Sequence, residues 1–218
     1  MSLARCTLSM SPESQLRMRR FFDLTSHLNV DAIKDLSDQI REGLEAAGRE
    51  TDSLVYGEIA YSAMYELLEM LKDKGAIGGK AGEVFLDLGS GVGKAVLMAG
   101  FLHSFEACIG YEVLPELHTM ALELFAKARE DTGTRLESRL GDYMEGEWPE
   151  ATVVLSNSTC LTREVFDLLV QKAAERLAAG TVLISMSKAV HNPSWSLVEQ
   201  SQKALHWGIC SFYVYSHS

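Results

Sequence analysis

Hydrophobic residues in the first third of the chain recur at the spacing of an α-helix. Leu16 and Leu24 share one helical face in PESQLRMRRFFDL, and NVDAIKDLSDQIREGLEAAGRE repeats apolar residues at the same period up to a stop at Gly48. A third run, YGEIAYSAMYELLEMLKDKG, is expected to end at Gly75. The pattern predicts an N-terminal helical region over residues 1–75 that packs on the domain following it.

From Val84 onward, short apolar runs alternate with helical patterns. The apolar runs are VFLDL, EACIGYE, TRLESRL, TVVLSN and TVLISM, and the helical patterns cover residues 94–103, 115–130 and 163–178. Such alternation predicts a parallel sheet with helices on both faces. The closing segment ALHWGICSFYVYSHS predicts two more strands around a bend at Gly208. We therefore expect an α/β domain over residues 76–218, with a Rossmann-like, mostly parallel seven-stranded sheet and an antiparallel C-terminal strand.

Composition and charge limit the partners. The chain has 218 residues, a hydrophobic content of 47% and a formal net charge of −10, which argues against strong intrinsic nucleic-acid binding. The basic stretch RMRR at residues 17–20 is interpreted as the solvated face of a helix. No apolar run approaches the ~20 residues of a membrane helix, and we expect no signal peptide.

The four cysteines indicate a reducing environment and show no pattern typical of a metal site. They are scattered through the chain without a CxxC pair or a His/Cys spacing suited to zinc. Unpaired thiols in a chain of this kind fit a reducing environment. We expect an intracellular protein of the nucleus or cytoplasm with no metal, and the sequence predicts no oligomeric state.

A glycine-rich turn follows the first apolar run. Asp87 ends that run, and Gly89, Gly91 and Gly93 follow at alternate positions, giving the pattern D-x-G-x-G-x-G. This spacing differs from the G-x-G-x-x-G of dinucleotide folds, and Lys94 is followed by alanine, so no phosphate-binding P-loop is present. By itself the turn also fits a tight strand-to-helix connection without a ligand.

Two acidic positions favour a ligand at this turn. Glu112 ends the second predicted strand, where a carboxylate can accept hydrogen bonds from both ribose hydroxyls of an adenosine. Asp142 follows the third strand and can accept from an adenine amino group, with Tyr143 flanking the ring. The glycine turn and the two acids together resemble the class I S-adenosylmethionine methyltransferases.

Within that class, the chain resembles the non-SET histone lysine methyltransferases of the disruptor-of-telomeric-silencing type. DLGSGVGKAVLMA is similar to the first motif of that family, and VYGEI is similar to its T-Y-G-E loop. IGYEV, GDYM, VVLSNSTCLTREV and LHWGICSFYVYSHS resemble four later segments in the family's order. The likeness covers residues 55–218, and its first motif is the most specific.

The resemblance implies a set of site residues around S-adenosyl-L-methionine. Tyr56, Gly57 and Glu58 are implied at the methionine end, and Lys94 stands where the family commonly has an amide. Asn157 is implied beside the reacting methyl group, with Asn157 and Tyr56 as the candidates closest to the chemistry. The remaining implied cofactor residues are Asp87, Gly89, Ser90, Gly91 and Gly93 in the loop, Glu112 at the ribose, and Asp142 and Tyr143 at the adenine.

The chain departs from the family pattern on the acceptor side. Ser158 and Cys160 stand where the family has two phenylalanines that form a narrow channel for the target lysine, and small polar residues there are expected to widen or rewet it. The basic segments with which the family reaches nucleosomal DNA have no counterpart. A protein substrate such as a histone or nucleosome is therefore one hypothesis among several.

Three functions remain open on this basis. The first is a protein lysine methyltransferase, the second a methyltransferase for a non-histone protein or a small molecule, and the third a cofactor-binding module that has lost activity. The reaction requires orientation and a deprotonated amine rather than a nucleophile–base pair. Several further residues near the predicted site are interpreted as packing or solvated residues: Phe212, Tyr213, Tyr215, His191, Trp195 and Trp207.

Overall fold

The computed structural model describes residues 10–48, 51, 54–205 and 208–218. Six α-helices and seven β-strands are found within these residues, and a short 3-10 turn, Ser158–Cys160, follows the fourth strand. The helices are α1 Pro12–Thr25, α2 Val30–Ala46, α3 Tyr61–Asp73, α4 Lys94–Leu102, α5 Pro115–Thr132 and α6 Arg163–Arg176. The strands are β1 Val84–Leu88, β2 Ala107–Glu112, β3 Arg135–Leu140, β4 Val153–Ser156, β5 Val182–Met186, β6 Trp195–Leu205 and β7 Gly208–His217.

All the strands of the described chain form one sheet of seven, in the order β3-β2-β1-β4-β5-β7-β6. Neighbours from β3 through β5 are parallel, whereas β7 lies antiparallel between β5 and β6. The order reverses between β1 and β4, where Asp87 pairs with Gly110 on one side and Leu155 on the other. The predicted Rossmann-like α/β fold is confirmed.

Two core clusters cover the two faces of this sheet. Phe85 of β1 joins α1, α3, α4 and α5 on one face, and the next residue, Leu86, joins α6 on the other. This alternation follows from the two-residue period of a strand and explains why the β1 sequence is apolar at almost every position. The N-terminal helices share the first cluster with the sheet, so the division of the chain at residue 75 stays a prediction.

Helix ends follow the local chemistry of the sequence. Asn29 Oδ1 accepts a hydrogen bond from the Ala32 amide at 3.0 Å and caps the start of α2. Gly48 and Gly75 have φ angles of +75° and +69° just beyond α2 and α3, so both predicted stops are confirmed. No helix among the residues described is sufficiently long and apolar to cross a bilayer.

The first predicted helix is present, and its buried face is formed by Met18, Phe21 and Leu24, whereas Leu16 is 67% exposed. Two predicted details are wrong. The third helix begins at Tyr61 rather than before it, since the preceding residues are held in non-helical contacts with the glycine turn. The sixth strand begins at Trp195, well upstream of the predicted segment, because this edge strand is polar and its middle is mostly solvent-facing.

The basic stretch of α1 lies on a solvated face, as predicted, and two of its arginines form hydrogen bonds to neighbouring helices. Arg17 Nη1 donates to the Phe101 carbonyl at 3.0 Å, at the end of α4. Arg20 forms two hydrogen bonds with Asp131 at the end of α5, at 2.8 and 3.1 Å. These contacts bind α1 to both helices and leave two of its arginines engaged within the fold.

Candidate functional site

The glycine turn lies at the carboxyl end of β1 and leads into α4. Gly89, Gly91 and Gly93 have φ angles of +87°, +54° and +81°, a region that side chains with a Cβ rarely adopt. The amides of Gly89 and Ser90 both donate to the Tyr111 carbonyl, at 3.0 and 2.8 Å, and this fastens the turn to β2. The predicted loop is therefore held by backbone bonds as well as by its glycines.

Neighbouring rings approach two of these glycines closely. A Cβ on Gly91 would lie 2.6 Å from Cε2 of Tyr56, and a Cβ on Gly93 would lie 2.6 Å from Cζ of Phe125. Real Cβ atoms do not tolerate such distances, so both positions need glycine for space as well as for conformation. The first contact brings the segment around Tyr56 directly onto the turn, although the two are far apart in sequence.

Two charged residues hold the segment around Tyr56 in place. The Tyr56 hydroxyl donates to Glu58 Oε1, and Lys94 Nζ lies 2.8 Å from Glu58 Oε1 and 3.0 Å from Oε2. Lys94 also donates to the Leu28 carbonyl at 3.0 Å, in the connection between α1 and α2. Burial, together with the charge of Glu58, raises the pKa of Tyr56, so the phenol stays neutral.

Two buried carboxylates lie beside the turn. Glu112 accepts from the amides of Gly91 and Leu114 at 2.7 and 2.8 Å, and burial raises its pKa despite these bonds. Asp87 is 3% exposed, and burial and the charge of Glu112 raise its pKa well above the ordinary range. No hydrogen bond to the Asp87 carboxylate is found within the described part of the chain. A ligand that carries an ammonium group and hydroxyls fits such a pair.

The segment after β3 reaches the same edge of the sheet. Asp142 is exposed, and its Oδ1 accepts from the Met144 amide at 2.7 Å, leaving Oδ2 free of protein bonds in the region described. Tyr143 is half-buried, and burial followed by the charges of Asp142 and Glu112 raises its pKa to about 12. The Tyr143 phenol therefore stays neutral at physiological pH.

The amide of Asn157, after β4, is oriented by two hydrogen bonds. Its Nδ2 donates to the Gly57 carbonyl at 3.2 Å, and its Oδ1 accepts from Thr159 Oγ1 at 2.9 Å. Thr159 also lies 2.9 Å from Ser187 Oγ, after β5. Ser187 is the single non-glycine residue with a positive φ, +69°, among those the structure describes. Sequence reasoning missed Thr159 and Ser187, because only the adjacency of β4 and β5 brings them together.

The two positions that depart from the family pattern differ from each other. Ser158 is fully buried, its hydroxyl donates to the Met186 carbonyl, and it lies 3.1 Å from Ser185 Oγ. Lys188 Nζ donates to the carbonyls of Ser158 and Thr159 at 2.9 and 3.1 Å. Cys160 is half-buried, so it alone of the two is accessible to solvent. The small residue at position 158 is therefore part of the core rather than a polar wall.

The other residues near the predicted site pack or face solvent. Phe212 is fully buried, and Tyr215 is 4% exposed with its hydroxyl accepting from the Val190 amide at 3.0 Å. Trp195 is 6% exposed, and His191 is exposed with Nδ1 3.0 Å from an Arg163 nitrogen. The packing interpretation is confirmed for these aromatic residues, whereas Trp207 lies outside the described residues.

Comparison with solved structures identifies Rossmann-like methyltransferases. An RNA methyltransferase from Salinibacter ruber, in complex with S-adenosyl-L-homocysteine, has 24% identity and a TM-score of 0.54, covering 74% of this chain and 94% of that one. The rRNA methyltransferase AviRa from Streptomyces viridochromogenes has 16% identity and a TM-score of 0.56, covering 74% and 86%. At these identities the likeness shows the fold alone.

Sequence comparison identifies the family. A search of curated proteins finds no match. The family model described as histone methylation protein DOT1 matches residues 46–206, well over half of the chain. This range includes the glycine turn, the segment around Tyr56 and all the acidic candidates, and it confirms the resemblance drawn from the motifs. The chain belongs to the DOT1 family of histone methylation proteins.

Proposed function

We propose that this chain transfers a methyl group from S-adenosyl-L-methionine to a lysine side chain of a protein, with a histone as the first candidate. Membership of the DOT1 family supports methyl transfer and S-adenosyl-L-methionine as the donor. The observation that supports the proposal most directly is that the segment around Tyr56, the glycine turn and the end of β2 meet at one edge of the sheet. Tyr56 packs on Gly91, and the buried carboxylates of Asp87 and Glu112 lie beside them.

The chemistry of these side chains fits the groups of the cofactor. In this proposal, Asp87 accepts from the ammonium of the methionine part, because it is buried and lacks a donor among the described residues. Glu112 uses the lone pairs left by its two amide bonds to accept from the ribose hydroxyls. Asp142 accepts from the adenine amino group through Oδ2, and Tyr143 flanks the ring.

The residues on the acceptor side orient the nucleophile. When bound, the cofactor supplies a methyl group on a positively charged sulfur, and the amine must approach it from behind. In this proposal, Asn157 Oδ1 has one lone pair left after its bond from Thr159, and it accepts an N–H of the incoming amine. Positioning of both reactants as a whole can supply up to about 7–11 kcal/mol, and this hydrogen bond is one part of it. Tyr56 does not act as a base at neutral pH because its pKa is raised.

One observation favours a different acceptor for the same chemistry. The hydroxyls of Thr159 and Ser187 lie beside the Asn157 amide, and the half-buried Cys160 stands at a position where the family has an aromatic residue. The net charge of −10 also disfavours contact with the phosphates of nucleosomal DNA. The second candidate is therefore methylation of a non-histone protein or a small molecule.

Calorimetric titration tests the cofactor assignment. Wild-type protein is expected to bind S-adenosyl-L-methionine with one-to-one stoichiometry. Gly91→Arg is expected to abolish binding, because the long side chain occupies the space of the Tyr56 ring. Equal binding by the variant, or no binding by the wild type, contradicts the assignment.

Labelling tests the acceptor. Methyl-labelled cofactor is incubated with nucleosomes, free histones, cell-extract protein and total RNA in parallel. Label in histone lysines supports the first candidate, and label only in another protein supports the second. Label only in RNA, or in none of the fractions from a protein that binds the cofactor, contradicts methylation of protein lysines. Asn157→Ala serves as the control, since it removes the proposed acceptor of the amine N–H while Tyr56 and Gly91 remain.

A further inference from the structure

Lys94 is buried at the start of α4, which is unusual for a lysine. Its side chain is 10% exposed, and that of its partner Glu58 is 15% exposed. The ammonium group has three N–H donors, and three acceptors surround it: Leu28 O at 3.0 Å, Glu58 Oε1 at 2.8 Å and Glu58 Oε2 at 3.0 Å. The ammonium group is therefore held within the protein by an ion pair with Glu58 and by hydrogen bonds to two other parts of the chain.

The three acceptors belong to two distant segments. Leu28 lies between α1 and α2, 66 residues before Lys94, and Glu58 lies 36 residues before it. Glu58 also accepts from the Tyr56 hydroxyl, and the Tyr56 ring packs on Gly91 in the turn. A continuous set of contacts thus runs from the N-terminal helices through Lys94 and Glu58 to the glycine turn.

We propose that Lys94 is a positioning residue that holds Tyr56 on the glycine turn through Glu58 and couples cofactor binding to the docking of the N-terminal helices. This inference rests on the proposed cofactor site. It replaces the expectation that Lys94 contacts the cofactor, and it concerns a position where the family pattern has an amide. An amide has N–H donors but lacks the positive charge that pairs with the buried Glu58 carboxylate.

The coupling has a reciprocal consequence. If a docked α1–α2 connection strengthens cofactor binding, the bound cofactor must stabilise that connection by the same factor. Amide hydrogen exchange then slows in two places on binding: in the turn at residues 89–93, and in the connection at residues 26–30. The second effect needs Lys94, because it is the described side chain that bridges Leu28 to Glu58.

The test measures affinity and hydrogen exchange with S-adenosyl-L-homocysteine for three proteins. Lys94→Met is expected to weaken binding about 10-fold or more, and at saturating ligand to keep protection in the turn while losing it at residues 26–30. Lys72→Met is the matched control, because Lys72 also pairs with a glutamate, Glu69 at 2.7 Å, and donates to a carbonyl, Leu102 at 2.9 Å. It is expected to bind within about twofold of wild type and to keep both protections.

Two outcomes overturn the inference while the proposed function stands. One is wild-type binding without slower exchange at residues 26–30, and the other is Lys94→Met with wild-type affinity and both protections. Absence of binding by wild-type protein overturns the proposed function itself. If Lys94→Met does not fold, Lys94→Gln carries the same test, since its amide keeps N–H donors in place but removes the positive charge that pairs with the buried Glu58 carboxylate.

Discussion

Gly91 allows the cost of backbone conformation to be separated from the cost of packing. Gly89 and Gly91 have φ angles of +87° and +54°, but a Cβ on Gly89 meets nothing within 4 Å, whereas one on Gly91 meets the Tyr56 ring at 2.6 Å. Alanine at either position carries the left-handed penalty of about 1–2 kcal/mol. At Gly91 it must also displace the ring, which adds about 1–3 kcal/mol.

We therefore expect Gly89→Ala to lower the free energy of unfolding by about 1–2 kcal/mol and Gly91→Ala by about 2–5 kcal/mol. Urea unfolding of cofactor-free protein, followed by circular dichroism, measures both. The same Gly91→Ala change is then made in a Tyr56→Ala background, where the ring is gone and the cost is expected to fall to about 1–2 kcal/mol. An equal cost in both backgrounds would refute the packing argument.

Three further predictions concern charge and buried polar groups. Asp87→Asn is expected to raise the thermal midpoint of the cofactor-free protein at neutral pH, because burial and the charge of Glu112 disfavour the charged carboxylate. Each kcal/mol gained in the free energy of unfolding raises the midpoint by ~2–4 °C, and a lower midpoint contradicts this. The same change is expected to weaken binding of S-adenosyl-L-homocysteine. Glu83 has a pKa below its ordinary 4.5, because bonds from His103 and a backbone amide outweigh the effect of burial. The stabilisation that the charged Glu83 gives to the fold is present above pH 4.5 and is lost as the pH falls through the lowered pKa. Glu83→Gln should therefore make the free energy of unfolding depend less on pH in this acid range, and an unchanged pH dependence contradicts the prediction. Tyr215→Phe leaves the Val190 amide buried without its acceptor and should cost about 1–3 kcal/mol in urea unfolding, with a loss under about 0.5 kcal/mol as the contrary result.

The sequence predicts those elements whose burial is uniform. Strands β1, β2, β4 and β5 are buried along almost their whole length, so each stands out as a short apolar run. The edge strand β6 was largely missed, since only Trp195 and Leu205 at its ends are buried while its middle is polar. The start of α3 lies later than the local pattern predicts, because Tyr56 packs on the turn and Glu58 pairs with Lys94 at the start of α4.

The sequence also predicts only part of the candidate site. The glycine turn is visible in sequence, because a strand, three glycines and a helix are adjacent in the chain and their chemistry is local. The pair Lys94–Glu58 spans 36 residues, and the pair Thr159–Ser187 spans 28. These contacts cannot be predicted from the spacing of the residues, because the register of neighbouring strands and the docking of the N-terminal helices decide which side chains meet.

The reversal of strand order between β1 and β4 has an evolutionary consequence. Asp87 in β1, Glu112 at the end of β2 and Asp142 after β3 lie on one side of that point, whereas Asn157 and Ser187 follow strands on the other. Substitutions in the β4–β5 half can therefore alter what is recognised there while the residues of the opposite half keep their surroundings. Proteins that descend from one ancestor can in this way come to recognise different acceptors and still bind the same cofactor.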